Sequence, residues 1–528
     1  MLKLYLWLVL AFVLSANRII SQSNETRNNS LDIINYRFEI ELNDKTDEIM
    51  GIATIDINFK TPLSGFYLDL KNVNTSGKGM KVDEVLENRN RISFSHEDDK
   101  ISCTIKPVKK GEVRSYQIKY HGIPSDGLII SKNKYGNRVF FGDCWPNRAH
   151  NWLPTVDHPS DKATLEFVVV APSEYQVVSN GIETEQKITG PKKITKWKSS
   201  EPLSTKLMVI GVGKFAVQNF KDSLNIPVST WVFPQDSIEG FKKFRVAIKP
   251  LDYYIKKIGP YPFQKLANVQ SKTIYGGMEN AGCIFYFENS ASDEDDLEDL
   301  FAHEIAHQWF GDAVSEKNWH HIWLSEGFAT YLTDLYMENN YGKKELENRM
   351  NKERRQVISY SKRNLAPVID TTITNLMDLL NPNSYYKGGW FLHMLRHELG
   401  DSLFWQCVDT FYFNFKYKNA LTQDFENVVN KLSGKDFHPF FNQWLYQKGH
   451  PVLQYAWKYD NKIVKMDIRQ KQAFIFNFPL EIKVLYTDGS SITEKVSIDK
   501  SLNQFEFPVK EMPRDVTLDP NVWLLFEQ

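Results

Sequence analysis

The hydrophobic period of this chain changes twice, and that change restricts the folds open to it more than any other feature of the sequence. From residue 34 to about 215, apolar side chains recur at every second position. Tyr36, Phe38, Ile40 and Leu42 alternate with Arg37, Glu39 and Glu41, and Ile55, Ile57 and Phe59 repeat the pattern. Such alternation gives a strand one dry and one wet face. Runs at Thr164–Val170 and Tyr175–Val178, followed by the turn pair Asn180-Gly181, continue it. An antiparallel β domain is expected over 34–215. Over 216–450 the spacing becomes helical, around 239–257, 293–310, 325–339, 343–359 and 385–399, with few strand signals between. Gly449 and Pro451 break that run. Over 451–528 the two-residue period returns through Val464, Met466 and Ile468, and through Leu480, Ile482 and Val484 before Asp488-Gly489. A small β-sandwich is expected there. The chain therefore reads as multidomain α+β, as 528 residues exceed what one core organises.

The first residues follow another logic. Lys3 precedes the apolar run Leu4–Leu14, and small residues Ser15 and Ala16 end it, as in a secretory signal peptide over 1–23. The run is short of the ~20 residues that span a bilayer, so no stable span is expected after cleavage; an uncleaved anchor is the open alternative. Export to the periplasm, cell surface or medium follows. Residues 24–33 are polar and aperiodic, and disorder is expected. Lys plus Arg (64) balances Asp plus Glu (65), which removes the electrostatic basis for a nucleic-acid partner. The four cysteines, Cys103, Cys144, Cys283 and Cys407, are too sparse for a disulfide scaffold and lack metal-knuckle spacing.

The chemistry sits in the helical third, at His303-Glu304-Ile305-Ala306-His307. On a helix, residues four apart share a face, so both imidazoles point at one metal, and Glu304 lies one step round, near a metal-held water. Ser292 is a candidate cap for this helix and Gly311 a candidate stop. A catalytic zinc takes three protein ligands and keeps a fourth position open. Glu326, with eighteen residues between it and His307, supplies the third from a second helix for which Ser325 is the candidate cap. His320 and His321 compete with it but read as wall or surface residues. His393 and His397 are four apart without an intervening glutamate and read as structural.

With those residues in view, the sequence resembles the gluzincin aminopeptidases, the family of aminopeptidase N and leukotriene hydrolase. Gly276-Gly277-Met278-Glu279-Asn280 reproduces the family's G-x-M-E-N signature, and Tyr385-Tyr386-Lys387-Gly388 its Y-x-K-G. The resemblance covers nearly all of the mature chain and implies a thermolysin-like, mostly helical catalytic domain between the two β domains. It implies one Zn2+ per chain on His303, His307 and Glu326, with Glu304 as general base. It implies Tyr385 as stabiliser of the developing oxyanion, and Glu279 as the anchor for the α-ammonium of a peptide with a free N-terminus. Three departures accompany it. The fourth, helical domain usual in the family is not expected after the sandwich, and a partner that closes the site in its place is an open alternative. The region matching its second ammonium anchor, residues 142–148, holds only Asp143 or Asn147 as candidates. Ser325 stands where many members have asparagine. A catalytically dead binder, an epoxide hydrolase and a zinc endopeptidase are the rival readings.

Overall fold

The alternating N-terminal segments fold as strands because one face of each can be buried. The computed structural model describes residues 29–221, 226–292 and 296–528, so the expected signal peptide lies outside the described residues. Strand β1 (Leu31–Glu41) buries Tyr36, Phe38 and Ile40. Disorder was not expected to end before residue 34, yet Leu31 and Ile33 are buried strand residues. A register shift between Ile33 and Asn35, opposite β2 (Ile49–Phe59), moves the buried set from odd to even positions. That bulge breaks the alternation where a simple two-residue count would look for it.

Contacts divide the chain into two compact units. The first comprises residues through Ser131 with Gly142–Val177 and Glu183–Ile210; the second comprises Lys132–Phe141, Val178–Ile182 and Gly211–Gln528. The first unit holds an eight-stranded sheet in which β1 pairs antiparallel with β2 and parallel with β3 (Lys162–Pro172). That parallel pair departs from the all-antiparallel expectation. A three-stranded sheet of Leu63–Asp69, Lys100–Val108 and Phe94–Glu97 accompanies it.

The second unit contains a sheet that the sequence pattern concealed. Its strands are β4 (Ala216–Lys221), β5 (Pro227–Val232), β6 (Leu266–Ser271), β7 (Gly277–Met278) and β8 (Cys283–Phe287), arranged β4-β5-β6-β8-β7. All six residues of β6 are buried. A strand covered on both faces has no wet side and hence no two-residue period. Strand β7 is the edge, antiparallel to β8. The helices of eight or more residues, among the described residues, are α1 (Ser237–Phe244), α2 (Ile248–Lys257), α3 (Glu298–His307), α4 (Trp323–Tyr341), α5 (Lys343–Arg363), α6 (Gly388–Leu399), α7 (Asp401–Phe415) and α8 (Thr422–Ser433). Helix α3 begins at Glu298, so Ser292 does not cap it; Asp296 Oδ1 accepts from the Glu298 N–H at 3.0 Å instead. Gly311, at φ +128°, follows its end.

Two three-stranded sheets complete the unit, Leu453–Asp460 with Ile463–Gln470 and Leu502–Pro508, and Ser491–Ile498 with Phe478–Leu485 and Asp515–Leu518. They are tied to the helices by polar contacts. Arg354 of α5 donates to Asp519 (2.7 Å) and to the Leu524 carbonyl (2.6 Å), and His393 of α6 bonds the Val522 carbonyl at 2.9 Å. Among the described residues no helix is long and apolar enough to cross a membrane.

Candidate active site

Helix α3 places His303 and His307 one turn apart, and the first turn of α4 brings Glu326 to them. The two Nε2 atoms are 3.0 Å apart, and Glu326 Oε2 lies 3.4 Å from His303 and 3.3 Å from His307. A tetrahedral zinc with bonds of about 2.0–2.1 Å separates its ligand atoms by about 3.3–3.4 Å. The three donors are thus already spaced for that ion, and among the described residues they form the group of metal-ligating type. Burial alone would raise the Glu326 carboxyl, but His307 and His303 hold it well below the usual carboxylate range. The far side of His307 is fixed as well. Its Nδ1 faces the Phe310 carbonyl (3.2 Å) and Ser325 Oγ (3.1 Å). Donation from Nδ1 leaves the Nε2 lone pair for the metal. Ser325 is therefore no helix cap; α4 already begins at Trp323. Gly311 makes room for this contact, since a Cβ there would sit 2.4 Å from Ser325 Oγ and 2.8 Å from His307 Nδ1.

The competing histidines are occupied elsewhere. His320 faces Asn318 (2.9 Å) and the Ile373 carbonyl (3.1 Å), and His321 faces Thr422 (2.8 Å). His393 bonds Tyr331 at 3.0 Å and stacks on Trp523.

Glu304 is buried beside the metal ligands, and strand β7 passes directly over it: a Cβ on Gly277 would come within 2.4 Å of its carboxyl carbon. Burial pushes the Glu304 carboxyl up, His307 opposes this, and Glu279 and Glu326 add to it. Tyr385 lies in a single π-helical turn, Asn383–Lys387, with its ring stacked on His303 at 6.0 Å between centroids. Burial, then Glu326, Glu279 and Glu304, raise its hydroxyl, so it keeps its proton and remains a donor at neutral pH. Two contacts hold this turn. Lys387 donates to the carbonyls of Gly449 (2.8 Å) and Gln447 (3.3 Å). Gly388 meets Gly327 of α4 so closely that a Cβ on either would lie 3.0 Å from the other's backbone. The glycines of Y-x-K-G and of Ser325-Glu326-Gly327 are therefore two sides of one contact.

Glu279 follows edge strand β7 and is only 5% exposed, yet its Oε1 has no hydrogen-bond partner among the described residues. The Asn280 side chain is fully buried, also without a partner for either polar atom. Gly277 and Met278 form this strand, and Gly276 precedes it. A residue that motif reading missed locks it to the metal helix. Gln308, next to His307 and fully buried, donates to the Glu279 carbonyl (2.8 Å) and to Asp312 (3.0 Å). Its Oε1 accepts from Gly282 N (2.8 Å) and Tyr261 (3.0 Å). A glutamine adjoining a ligand histidine was the available signal. Of the candidates at 142–148, Asp143 is buried in the first unit and engaged by Arg148 at 2.5 Å.

Comparison with known proteins agrees with this geometry. The Peptidase M1 N-terminal domain matches residues 33–207 and the Peptidase family M1 domain residues 243–444. A probable aminopeptidase 2 of Sulfurisphaera tokodaii is 28% identical over 72% of this chain and 52% of its own length. A leucyl aminopeptidase of Saccharolobus solfataricus is 23% identical over 85% of this chain and 59% of its own. This chain thus spans little more than half the length of such relatives. A crystal structure of a mutant M1 zinc metallopeptidase from Deinococcus radiodurans superposes with a TM-score of 0.67 at 22% identity, covering 80% of this chain and 96% of that one. Its fold is shared. With both of the family's domains matched in order and the ligand set assembled between α3 and α4, the chain belongs to peptidase family M1.

Proposed function

We propose that this chain is a zinc aminopeptidase that hydrolyses the first residue from peptides with a free N-terminus. The observation that carries this reading is Glu279, a buried carboxylate with an unsatisfied oxygen beside the metal ligands. A buried anion of this kind calls for a cation, and the α-ammonium of a peptide supplies one at a fixed distance from the first peptide bond. His303, His307 and Glu326 hold one Zn2+, which when bound supplies a Lewis acid that polarises a carbonyl and acidifies a water. Glu304 takes the proton of the attacking water and passes it to the departing amine. Tyr385 donates its hydroxyl hydrogen bond to the developing oxyanion. Gly276, Gly277, Met278 and Asn280 border the substrate backbone as the open edge of the sheet, where an extended peptide adds by main-chain hydrogen bonds. In this reading the catalytic domain occupies 216–450, between a β domain ending at 215 and a sandwich at 451–528, and the enzyme is exported by the leader over 1–23.

The test is release of a fluorogenic group from unblocked aminoacyl substrates and from their N-acetylated forms, with chelator and with added zinc. Chelator-sensitive cleavage of the unblocked series alone is the expected result. Equal cleavage of the acetylated series would remove Glu279 from its role and make the enzyme an endopeptidase.

A further inference from the structure

The turn that carries Tyr385 does not hold itself. Inside Asn383–Lys387 the backbone N–H groups of Tyr386 and Lys387 both reach the single carbonyl of Pro382, each at 3.0 Å, and that of Tyr385 reaches Asn381 at 3.3 Å. A π-helical turn is rare by itself, so its neighbours fix its position. Gly327 closes one side of it, against Gly388. The other side is held by Lys387, which is 1% exposed and donates to the carbonyls of the segment 447–449. Burial pulls its ammonium down to about 7, and no described carboxylate opposes that. A cation buried in this way is costly, and the two carbonyl bonds are what it contributes. The segment that accepts them is anchored in turn from the C-terminal sheets. His450 follows Gly449, is 5% exposed, and lies with Nε2 3.5 Å from Glu527 Oε2. Glu527 Oε1 meets Lys362 of α5 at 2.5 Å. The Glu527 backbone donates to the Pro451 carbonyl (2.9 Å) and accepts from Leu453 N (2.7 Å), where the strand Leu453–Asp460 begins. Residues 447–451 are thus pinned between α5 and this sheet, and Lys387 ties the Tyr385 turn to them.

We infer that the C-terminal sheets take part in the reaction from a distance: Glu527 and the segment 447–451 hold Lys387, and Lys387 is the positioning residue that sets the Tyr385 hydroxyl at the oxyanion. The inference rests on the role proposed for Tyr385 and gives the last segment of the chain a task in catalysis. Lys387 acts through Tyr385 alone, and that restriction is what an experiment can read.

The experiment uses the full zinc-loaded chain and an unblocked leucyl fluorogenic substrate, with wild type, Lys387→Met, Tyr385→Phe and the double variant. Methionine keeps the length of lysine without its donors. Lys387→Met is expected to lower kcat on the order of 10- to 100-fold, as displacement of a catalytic group by about an ångström does, with KM within about twofold. Zinc content stays at that of the wild type. In the Tyr385→Phe background the same change is expected to leave the residual kcat unmoved, since nothing is left to position. A lysine that merely supported the fold would lower both rates by one factor. Glu527→Ala, at a side chain 24% exposed, is expected to act in the same direction with the same dependence on Tyr385. It carries the test alone if Lys387→Met does not fold. Equal losses with and without the Tyr385 hydroxyl, or an unchanged kcat in the folded variants, would overturn the inference and leave the aminopeptidase reading standing. A Tyr385→Phe enzyme as fast as wild type would remove Tyr385 from the oxyanion and the inference with it. No release by any form would remove the aminopeptidase reading as well.

Discussion

Glu304 and Glu279 are carboxylates in one cleft, and their surroundings separate their duties. Glu304 lies on the zinc helix under Gly277, close enough to the ligands to handle a water's proton. Glu279 stands at the end of an edge strand with an oxygen that no described residue satisfies. Glu304→Gln is expected to lower kcat by about 10²–10⁴, the usual worth of a general base, while zinc content measured on the purified variant stays at one per chain. A near-normal rate would take the base role from Glu304. Ser325 makes a different kind of contribution, through His307 Nδ1. Ser325→Ala is expected to weaken zinc binding on the order of tenfold in chelator competition, as loss of a hydrogen bond behind a ligand does. Unchanged affinity would mean that the Phe310 carbonyl suffices. His303 and His307, with Glu304 as the proposed base, could be grouped from the sequence because helical spacing converts i, i+4 into a shared face. Ser325 and Gln308 could not, since their roles depend on which chain segment lies behind the helix, and spacing carries no information about that.

At the scale of elements, the same limit explains the catalytic sheet. β6 is buried at every position and β8 at all but Phe287, so neither presents the wet face that gives a two-residue period, and the polar Asn268, Gln270 and Ser271 of β6 are buried as well. The half-wet strands of the N-terminal β segments, such as β1 and β2, were read from their alternation. The alternation failed at β1 only where the register shifts beside Ile33. The turn carrying Tyr385 was readable as a motif but not as a π-helical turn, because that irregular turn is fixed by packing against α4 at Gly327 and Gly388. Alanine at either glycine would push two backbones apart. Gly388→Ala is expected to cost about 1–3 kcal/mol, the usual range for overpacking, read from urea unfolding, with kcat falling as Tyr385 moves from His303. Full activity at wild-type stability would show that the helices can separate without loss.

For the whole molecule, all three metal ligands belong to the second compact unit. A ligand that binds only the native state stabilises it by RT ln(1 + [L]/Kd), about 4 kcal/mol at a thousandfold excess over Kd. Chelation is therefore expected to lower the unfolding temperature of the second unit while leaving a transition of the first unit in place. Calorimetric scans with and without zinc measure this, and identical scans would mean that the native protein holds no zinc. The two compact units, rather than the three segments of the sequence period, thus set the expected division of thermal behaviour. Gln308 adds a consequence of another sort. One amide side chain joins the carbonyl of Glu279 to the residue beside His307, so the distance from ammonium anchor to metal is set like the jaws of a calliper. On the proposed reading the molecule would measure a length, that of one α-amino acid, and read little else about where a chain begins. A peptide opening with β-alanine, one methylene longer, would leave either its ammonium or its carbonyl out of place, and its hydrolysis should fall by orders of magnitude against the alanine peptide.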